Sequence, residues 1–527
     1  MSAAGYQGET EVCIIGAGPA GGIIALELAG RGIRSVILEA GPRHDFARRF
    51  EYMRRFLKGE NPWKTPLAAL DRYTTGGRTP YRLEGNRARG VGGSTLYWEG
   101  YALRFRAEDF RLRSLHGVAE DWPVSYEELE PYYTRAERAL GVAGTADDPW
   151  ASPRSGGFPL LPFPPSYSDG LFVPACRSLG ITLHSLPQAR NSIPYAGRAR
   201  CQGYSTCHVC PIGAKASADL SHILRAEATG HARVLADVSA LRLETGPPDR
   251  VRAVVYAGHD RRERRLSARL FVVAAGGVET ARLLLLSASR DAPQGLANGS
   301  GLVGRHFMSH PLLDITGRVA EPVYPYRIGF STTMTGQFAV GRDRRRRGAF
   351  FLEFLNSAGG PPARLAIASR TWGPALEKHV KEEFGRTLGV RIFCEQLPDP
   401  ARSVSLNPGV KDHFGQPVPH ISWGVGDYAR AALEEARGIA ERILRGAGAK
   451  AIRASRLGYA SHQMGTHRMG TDPDSSVVDA NLRAHDVSNL YLVGGGCFVT
   501  ASAFPPTLTV AALAIRAAEH LTRVLRG

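Results

Sequence analysis

Cys201, Cys207 and Cys210 fall within one ten-residue stretch, CQGYSTCHVC, at the spacing C-x5-C-x2-C and followed directly by Pro211. The other four cysteines, Cys13, Cys176, Cys394 and Cys497, are scattered, so the triplet reads as a ligand set. Three chemistries fit it. Thiolates bind iron, and three cysteines without a fourth suit a [3Fe–4S] cluster. C-x2-C is also a zinc spacing to which His208 could add a ligand, although the usual distant second pair is missing. The loop could instead keep three thiols with no metal. Seven cysteines without a regular framework argue against a disulfide scaffold. A reducing compartment, or thiolates committed to a metal, fits better.

A second constellation lies at the start of the chain. Residues 12–41 read VCIIGAGPAGGIIALELAGRGIRSVILEAG. The apolar run Val12 to Ile15 feeds Gly16-x-Gly18-x-x-Gly21, and a helical pattern (Ile24, Leu26, Leu28) follows. A second apolar run, Ser35 to Leu38, ends in Glu39. Gly16 allows the tight turn and Gly18 lets backbone approach a pyrophosphate. Gly21 lets the helix pack, and the helix N-terminus stabilises phosphate charge. Glu39 stands where a carboxylate bonds ribose hydroxyls. It would repel a 2′-phosphate, so NADP is disfavoured.

Further glycine-rich segments recur at GVGGSTLYWEG (90–100), in LFVVAAGGVETARLLLLS (270–287), and after a late apolar run at Gly494–Gly496. A single nicotinamide dinucleotide needs one contiguous unit. Glycine-rich backbone from the start, middle and end points to a longer cofactor threaded through the fold. These segments, with WPVSYEELEPYY (122–133), SGLVGRHFMSHP (300–311) and EQLPDPARSVSLNP (395–408), resemble the glucose–methanol–choline (GMC) oxidoreductases, which bind FAD. VGGSTLYWEGYALRF (91–105), ARNSIPYAGRARC (189–201) and the cysteine loop are most similar to the large subunits of bacterial FAD-dependent glucose, gluconate and sorbitol dehydrogenases.

The resemblance implies that Gly16, Gly18, Gly21 and Glu39 hold the ADP half. Gly92, Gly93, Ser94 and Thr95 lie along the pyrophosphate and flavin, and the Val238 backbone meets adenine. Gly276, Gly495 and Thr507 complete the cofactor set. The neighbour of the Ser-Thr pair is Leu96 rather than histidine, so FAD is expected to be non-covalent. His462, opening HQMGTHRMG, matches the histidine that takes the substrate's hydroxyl proton, while the carbinol hydrogen leaves as hydride to flavin N5. Histidine suits the task because its ordinary pKa is about 6.5. His467 is the second candidate. Relatives place a polar residue before the last helix, but Pro505 stands there, leaving His462 alone or helped by His467 or Ser502. The prolines pre-set the first turn of that helix.

The implied activity is an FAD-dependent dehydrogenase oxidising a secondary alcohol of a sugar, glycoside or polyol. Electrons would pass through a [3Fe–4S] cluster to a one-electron acceptor. Relatives of this kind space the cysteines C-x5-C-x3-C, one residue more than here. Competing expectations are an oxidase using O2, or a flavin-binding electron-transfer subunit without its own alcohol chemistry. A small companion subunit and a cytochrome acceptor are the implied partners.

The expected fold is α/β: a Rossmann-like FAD-binding domain interleaved with a substrate domain built on an antiparallel sheet with helices. Its parts are 8–312, with the cysteine loop at 200–215 and a surface excursion at 106–200; 313–454 for substrate; and 455–527 returning to the FAD domain. Within 313–454, strands are expected at Ala349–Leu355 and Gly389–Cys394, and an amphipathic helix at Tyr428–Arg445. Hydrophobic content of 43% and charged content of 22% suit a soluble globular chain of 527 residues. No apolar stretch reaches the ~18 residues of a membrane span. The opening MSAAGYQGET lacks an export signal, so the expectation is cytoplasmic, or periplasmic only through co-export with a signal-bearing partner. The net charge of +17 reads as an Arg-rich surface. Its densest run, Arg344 to Arg347, reads as a solvated hairpin turn without the aromatics of a nucleic-acid groove.

Overall fold

The strand Glu263–Val273 is the axis of the computed structural model, which describes residues 9–64, 68–246, 249–324 and 329–527. The absence of an export signal was read partly on residues 1–8, which lie outside the described residues. The C-terminal half of this strand runs parallel to Glu9–Ile15 on one side and to Leu490–Leu492 on the other. Its N-terminal half pairs antiparallel with Val251–Gly258, which in turn pairs with Val238–Thr245. Ser35–Leu38 and Ala232–Leu235 extend the parallel edge. The chain's start, middle and end thus share one seven-stranded sheet. The runs Val12–Ile15 and Leu270–Val273 are buried on both faces, which is why they read as unbroken apolar segments rather than alternating ones.

The register explains where the site lies. Ile15 pairs with both Leu38 and Val273, and Val273 pairs with Leu492. The carboxyl ends of four parallel strands therefore stand in a row, each followed by the residues read as cofactor contacts: Gly16, Glu39, Gly276 and Gly494–Gly495. Crevices outside such strand ends are where α/β sheets take their ligands. The helix Pro19–Ala29 starts there with proline in its first turn. The final helix, Thr507–Arg526, packs against it and against Tyr126–Leu140.

A second sheet is antiparallel, in the order Lys450–Ala454, Pro311–Arg318, Thr387–Cys394, Phe350–Leu355, Ser331–Thr335, His184–Ser185. Cross-strand pairing puts Leu312, Phe393 and Phe351 in one row, and Asp314, Arg391 and Glu353 in the next. Strand alternation sends both rows to the same face. The amphipathic helix Asp427–Gly446 packs on this sheet, burying Ala436, Ile439, Ala440 and Ile443. The two strands and the helix expected here are present, shifted by a residue or two at their ends.

The arginine run is a correction. Arg344 is completely buried, within 2.8 Å of both Asp109 and Glu395. Arg347 is also buried and pairs with Glu435. Only Arg345 and Arg346 face solvent. Partners distant in sequence turned a surface-looking run into a structural one.

Candidate functional site

A long cleft opens along the row of strand ends, with about 1580 Å³ of atom-free space including its solvent mouth. At one end it is lined by Gly16, Gly18, Glu39 and Val238, and along its length by Gly93, Ser94 and Gly276. His462, Gly495 and Thr507 line it as well. Ten candidates scattered over the sequence thus share one cleft. Two glycine contacts show how closely its wall is built. A Cβ on Gly93 would lie 2.7 Å from the Gly18 Cα, and one on Gly21 would lie 2.0 Å from the Gly16 carbonyl oxygen.

Gly21, Gly92 and Thr95 support the wall from behind. The Gly92 N–H donates to the Ala17 carbonyl at 2.9 Å, tying the second glycine loop to the first. The Thr95 hydroxyl donates to the Gly92 carbonyl at 2.5 Å and accepts from the Ala218 N–H at 2.8 Å.

Glu39 does more than face a ribose. Its Oε1 accepts the Gly41 and Gly90 N–H groups, at 2.9 and 3.1 Å, and its Oε2 accepts the Ala17 N–H at 2.9 Å. Each carboxylate oxygen has two acceptor directions, so one direction on Oε2 is left for a hydroxyl in the cleft. Burial raises this carboxyl's pKa, and the three N–H bonds and Arg89 oppose the rise. The sequence reading missed Arg87 and Arg89, which also line the cleft. Both bridge Asp71 and Glu279. Their spacing, one residue apart just before the glycine loop, was the available signal.

His462 is buried, and its ring is 4.9 Å from that of His310. The two Nδ1 atoms are 2.7 Å apart. Burial, then His310, hold the His462 imidazole well below the ordinary histidine range, and Glu99 pulls the other way. It therefore stands neutral, with a lone pair available to take a proton. His310 was not singled out from the sequence, although SGLVGRHFMSHP contains it.

His467 is placed elsewhere. Its ring packs under Gly496, its Nδ1 lies 3.2 Å from the Thr466 hydroxyl, and it does not line the cleft. Ser502 donates its hydroxyl to Asp109 at 2.6 Å. Neither supplies the polar group expected in place of Pro505. Pro506 caps the last helix, and Pro506 and Thr507 line the cleft.

On the substrate-sheet side, the Phe393 ring lies 6.2 Å from that of His462 and stacks on Phe351 at 4.8 Å. The row beyond carries charge. Arg391 contacts Asp314 at 2.8 Å and Glu99 at 3.6 Å. Glu353 accepts the Ser331 hydroxyl at 2.5 Å and also bonds the Tyr101 hydroxyl. Burial raises the Glu353 carboxyl to about 7, with Arg391 opposing.

The cysteine loop borders this region. Cys207 and Cys210 are buried and Cys201 is half-buried. The Gly203 N–H donates to Cys201 Sγ at 3.4 Å, and the Lys215 N–H to Cys210 Sγ at 3.1 Å. Among the described residues, no three His, Cys, Asp or Glu side chains stand at metal-holding spacing. His208 turns from the thiols toward Glu99, at 3.3 Å, and stacks on Tyr97, so it does not complete a zinc set. Around the thiols lie Arg190, Arg198 and Lys215, all buried, with no carboxylate at ion-pair distance among the described residues. Arg190 Nη1 reaches Cys201 Sγ at 3.7 Å, the guanidinium lies 3.8 Å over the Phe163 ring, and its Nε and Nη2 have no hydrogen-bond partner among the described residues. Burial pushes the Cys207 thiol up to about 11, with Arg190 and Lys215 opposing, and holds Lys215 down to about 8 and Arg198 to about 10.

Comparison with known proteins agrees with this geometry. An FAD-binding domain matches residues 9–48, and the GMC oxidoreductase family matches residues 163–312 and 398–514. The chain is 33% identical to the fructose dehydrogenase large subunit of Gluconobacter japonicus, over 98% of each chain. It is 31% identical to 2-methyl-1,2-propanediol dehydrogenase of Mycolicibacterium austroafricanum, over 98% of this chain and 95% of that one. The crystal structure of pyridoxine 4-oxidase from Mesorbium loti shares the fold, with a TM-score of 0.63 at 20% identity, covering 98% of this chain and 99% of that one. No helix among the described residues is long and apolar enough to cross a membrane. The chain belongs to the GMC oxidoreductases, FAD-dependent enzymes that oxidise CH–OH groups.

Proposed function

We propose that this enzyme is a dehydrogenase that oxidises a secondary alcohol of a sugar, glycoside or polyol. The observation that carries the reading is the placement of His462 in the cofactor cleft, with the Phe393 ring of the second sheet 6.2 Å from its own. Bound FAD supplies the hydride acceptor, flavin N5. Gly16, Gly18, Gly93 and Ser94 would hold its phosphates and ring by close backbone approach, Val238 would border adenine, and Glu39 would take a ribose hydroxyl. Gly276, Gly495 and Thr507 complete the cradle. His462 takes the hydroxyl proton as the carbinol hydrogen departs, leaving a carbonyl. Phe393, whose ring lies beside that of His462, gives the substrate an apolar contact, with the Arg391–Glu99 pair beyond it. The names of two relatives, a fructose and a diol dehydrogenase, support a sugar or polyol substrate.

The cysteine loop is the finer part of the proposal. Two features favour a thiolate-held iron–sulfur group on Cys201, Cys207 and Cys210: the N–H donors on the sulfurs, and three buried basic side chains beside them with no carboxylate at ion-pair distance among the described residues. Such a group would pass electrons singly to a partner. The experiment is anaerobic stopped-flow bleaching of the flavin by a panel of sugars and polyols, with EPR and iron analysis of the same sample. Bleaching by one substrate class supports a dehydrogenase, and no bleaching by any overturns the alcohol chemistry. Peroxide formed at the turnover rate would assign an oxidase instead. A flavin-only spectrum without iron, after anaerobic purification, removes the cluster.

A further inference from the structure

The hydrogen bonds around His310 fix its protons. Its Nε2 lies 3.2 Å from the Ala501 carbonyl oxygen and 3.0 Å from that of Ser502. Carbonyls only accept, so Nε2 carries hydrogen and donates to both. Burial holds this imidazole down, at about 4, so it is neutral and its Nδ1 is a bare lone pair. The atom facing that lone pair, at 2.7 Å, is His462 Nδ1. Two lone pairs cannot share that distance, so His462 Nδ1 carries the hydrogen and donates. His462 Nε2 is then left as the bare nitrogen.

The backbone is shaped to hold this arrangement. Ser502 has a φ of +54°, a left-handed conformation uncommon for serine. Its carbonyl accepts from His310 while its hydroxyl donates to Asp109 at 2.6 Å. Asp109 and Glu395 share the single guanidinium of Arg344, all three buried. Among the described residues, one carboxylate charge is thereby left without a cation of its own beside the histidine pair. The charged groups facing the pair are Asp109 on the His310 side and Glu99 on the His462 side.

We infer that His310 is a positioning residue, which fixes His462 in the tautomer whose free Nε2 takes the substrate proton, and that Asp109, held by Ser502 and Arg344, balances the charge then formed. The step is closed. The substrate O–H bond breaks and the proton goes to His462 Nε2. The positive charge spreads toward His310 through the Nδ1–H···Nδ1 bond, and the carbinol hydrogen leaves with its electron pair for the oxidised flavin that bound FAD would supply, so the substrate becomes the carbonyl. The inference rests on His462 being the base.

The test uses the FAD-loaded enzyme with 15N-labelled histidine. Imidazole 15N shifts should show His462 protonated on Nδ1 and His310 on Nε2, with the signals assigned through His462→Gln and His310→Phe. His462 protonated on Nε2 in the wild type overturns the inference whatever the variants do. In His310→Phe, anaerobic flavin reduction should fall roughly 10–100-fold at unchanged FAD content and substrate affinity, by analogy with other outer partners of a functional imidazole. The His462 shifts should then report a mixture of tautomers. His310→Asn, whose side-chain oxygen can accept at the Nδ1 position, should recover part of the rate. If His462→Gln alone leaves reduction unchanged, the base assignment fails. If His462→Gln is slow while His310→Phe keeps the wild-type rate and tautomer, only this inference fails.

Discussion

Replacing Arg344 by methionine tests the least expected feature of the fold. The side chain is fully buried and lies 2.8 Å from each of two carboxylates, themselves at most 1% exposed. Methionine fills similar space but leaves Asp109 and Glu395 buried without a cation. Removing one partner of a buried pair costs about 3–5 kcal/mol, and serving two carboxylates puts Arg344 at the upper end of that range. For a chain of this length the unfolding entropy is about 1.1 kcal/mol/K, at about 2.1 cal/mol/K per residue, so the cost lowers the thermal midpoint by roughly 4–5 °C. The assay is FAD release followed by fluorescence during heating. The compensating variant combines Arg344→Met with Asp109→Asn and Glu395→Gln, which removes every charge while keeping shape, and it should recover most of the loss. A single variant within about 1 °C of wild type would mean that Arg344 behaves as an exposed arginine. A combined variant no better than the single one would mean that charge is not the cause.

Further tests address the cleft and the buried histidines. Gly93→Ala places a methyl group 2.7 Å from the Gly18 Cα at a φ of +54°, so the purified protein should lack FAD; normal flavin content would contradict the close approach. Glu39→Gln turns one acceptor of three backbone N–H groups into a donor, which should weaken FAD binding ~10-fold or more, at about 1–3 kcal/mol per lost bond; an unchanged titration would exclude the role. Burial lowers His467 to about 3 and His310 to about 4. Both are below the unfolded value of about 6.5, so between the two values the unfolded chain binds more protons and stability rises with pH. Their contribution is complete above about pH 6.5 and is lost as pH falls toward 4. The thermal midpoint should drop across that window, and His467→Gln should flatten the slope. An unsloped wild-type midpoint would refute the buried neutral histidines.

What the sequence showed follows how local each feature is. The loop from Gly16 to Glu39 is legible because strand, turn and helix are contiguous and each glycine has a steric reason. The cleft was legible in outline because glycine turns follow the strand ends from Ile15 to Leu492. Arg344 was misread because its partners, Asp109 and Glu395, lie on other segments and no local pattern announces them. His310 was missed because its function comes from the Ala501 and Ser502 carbonyls and from His462, all distant in sequence. His467 was over-read, since sharing a motif with His462 does not bring its ring to the cleft. In the cysteine loop the spacing was visible, but the buried cations around it appear only in three dimensions.

The central claim is that His462 takes the substrate's proton in an FAD-loaded cleft. Its most direct test is single-turnover flavin reduction by a reactive sugar or polyol, comparing wild type with His462→Ala at equal, measured FAD occupancy. The structure predicts a fall of ~10²–10⁴-fold in the reduction rate with FAD still bound. Reduction within about threefold of wild type, well short of the general-base contribution, would contradict it.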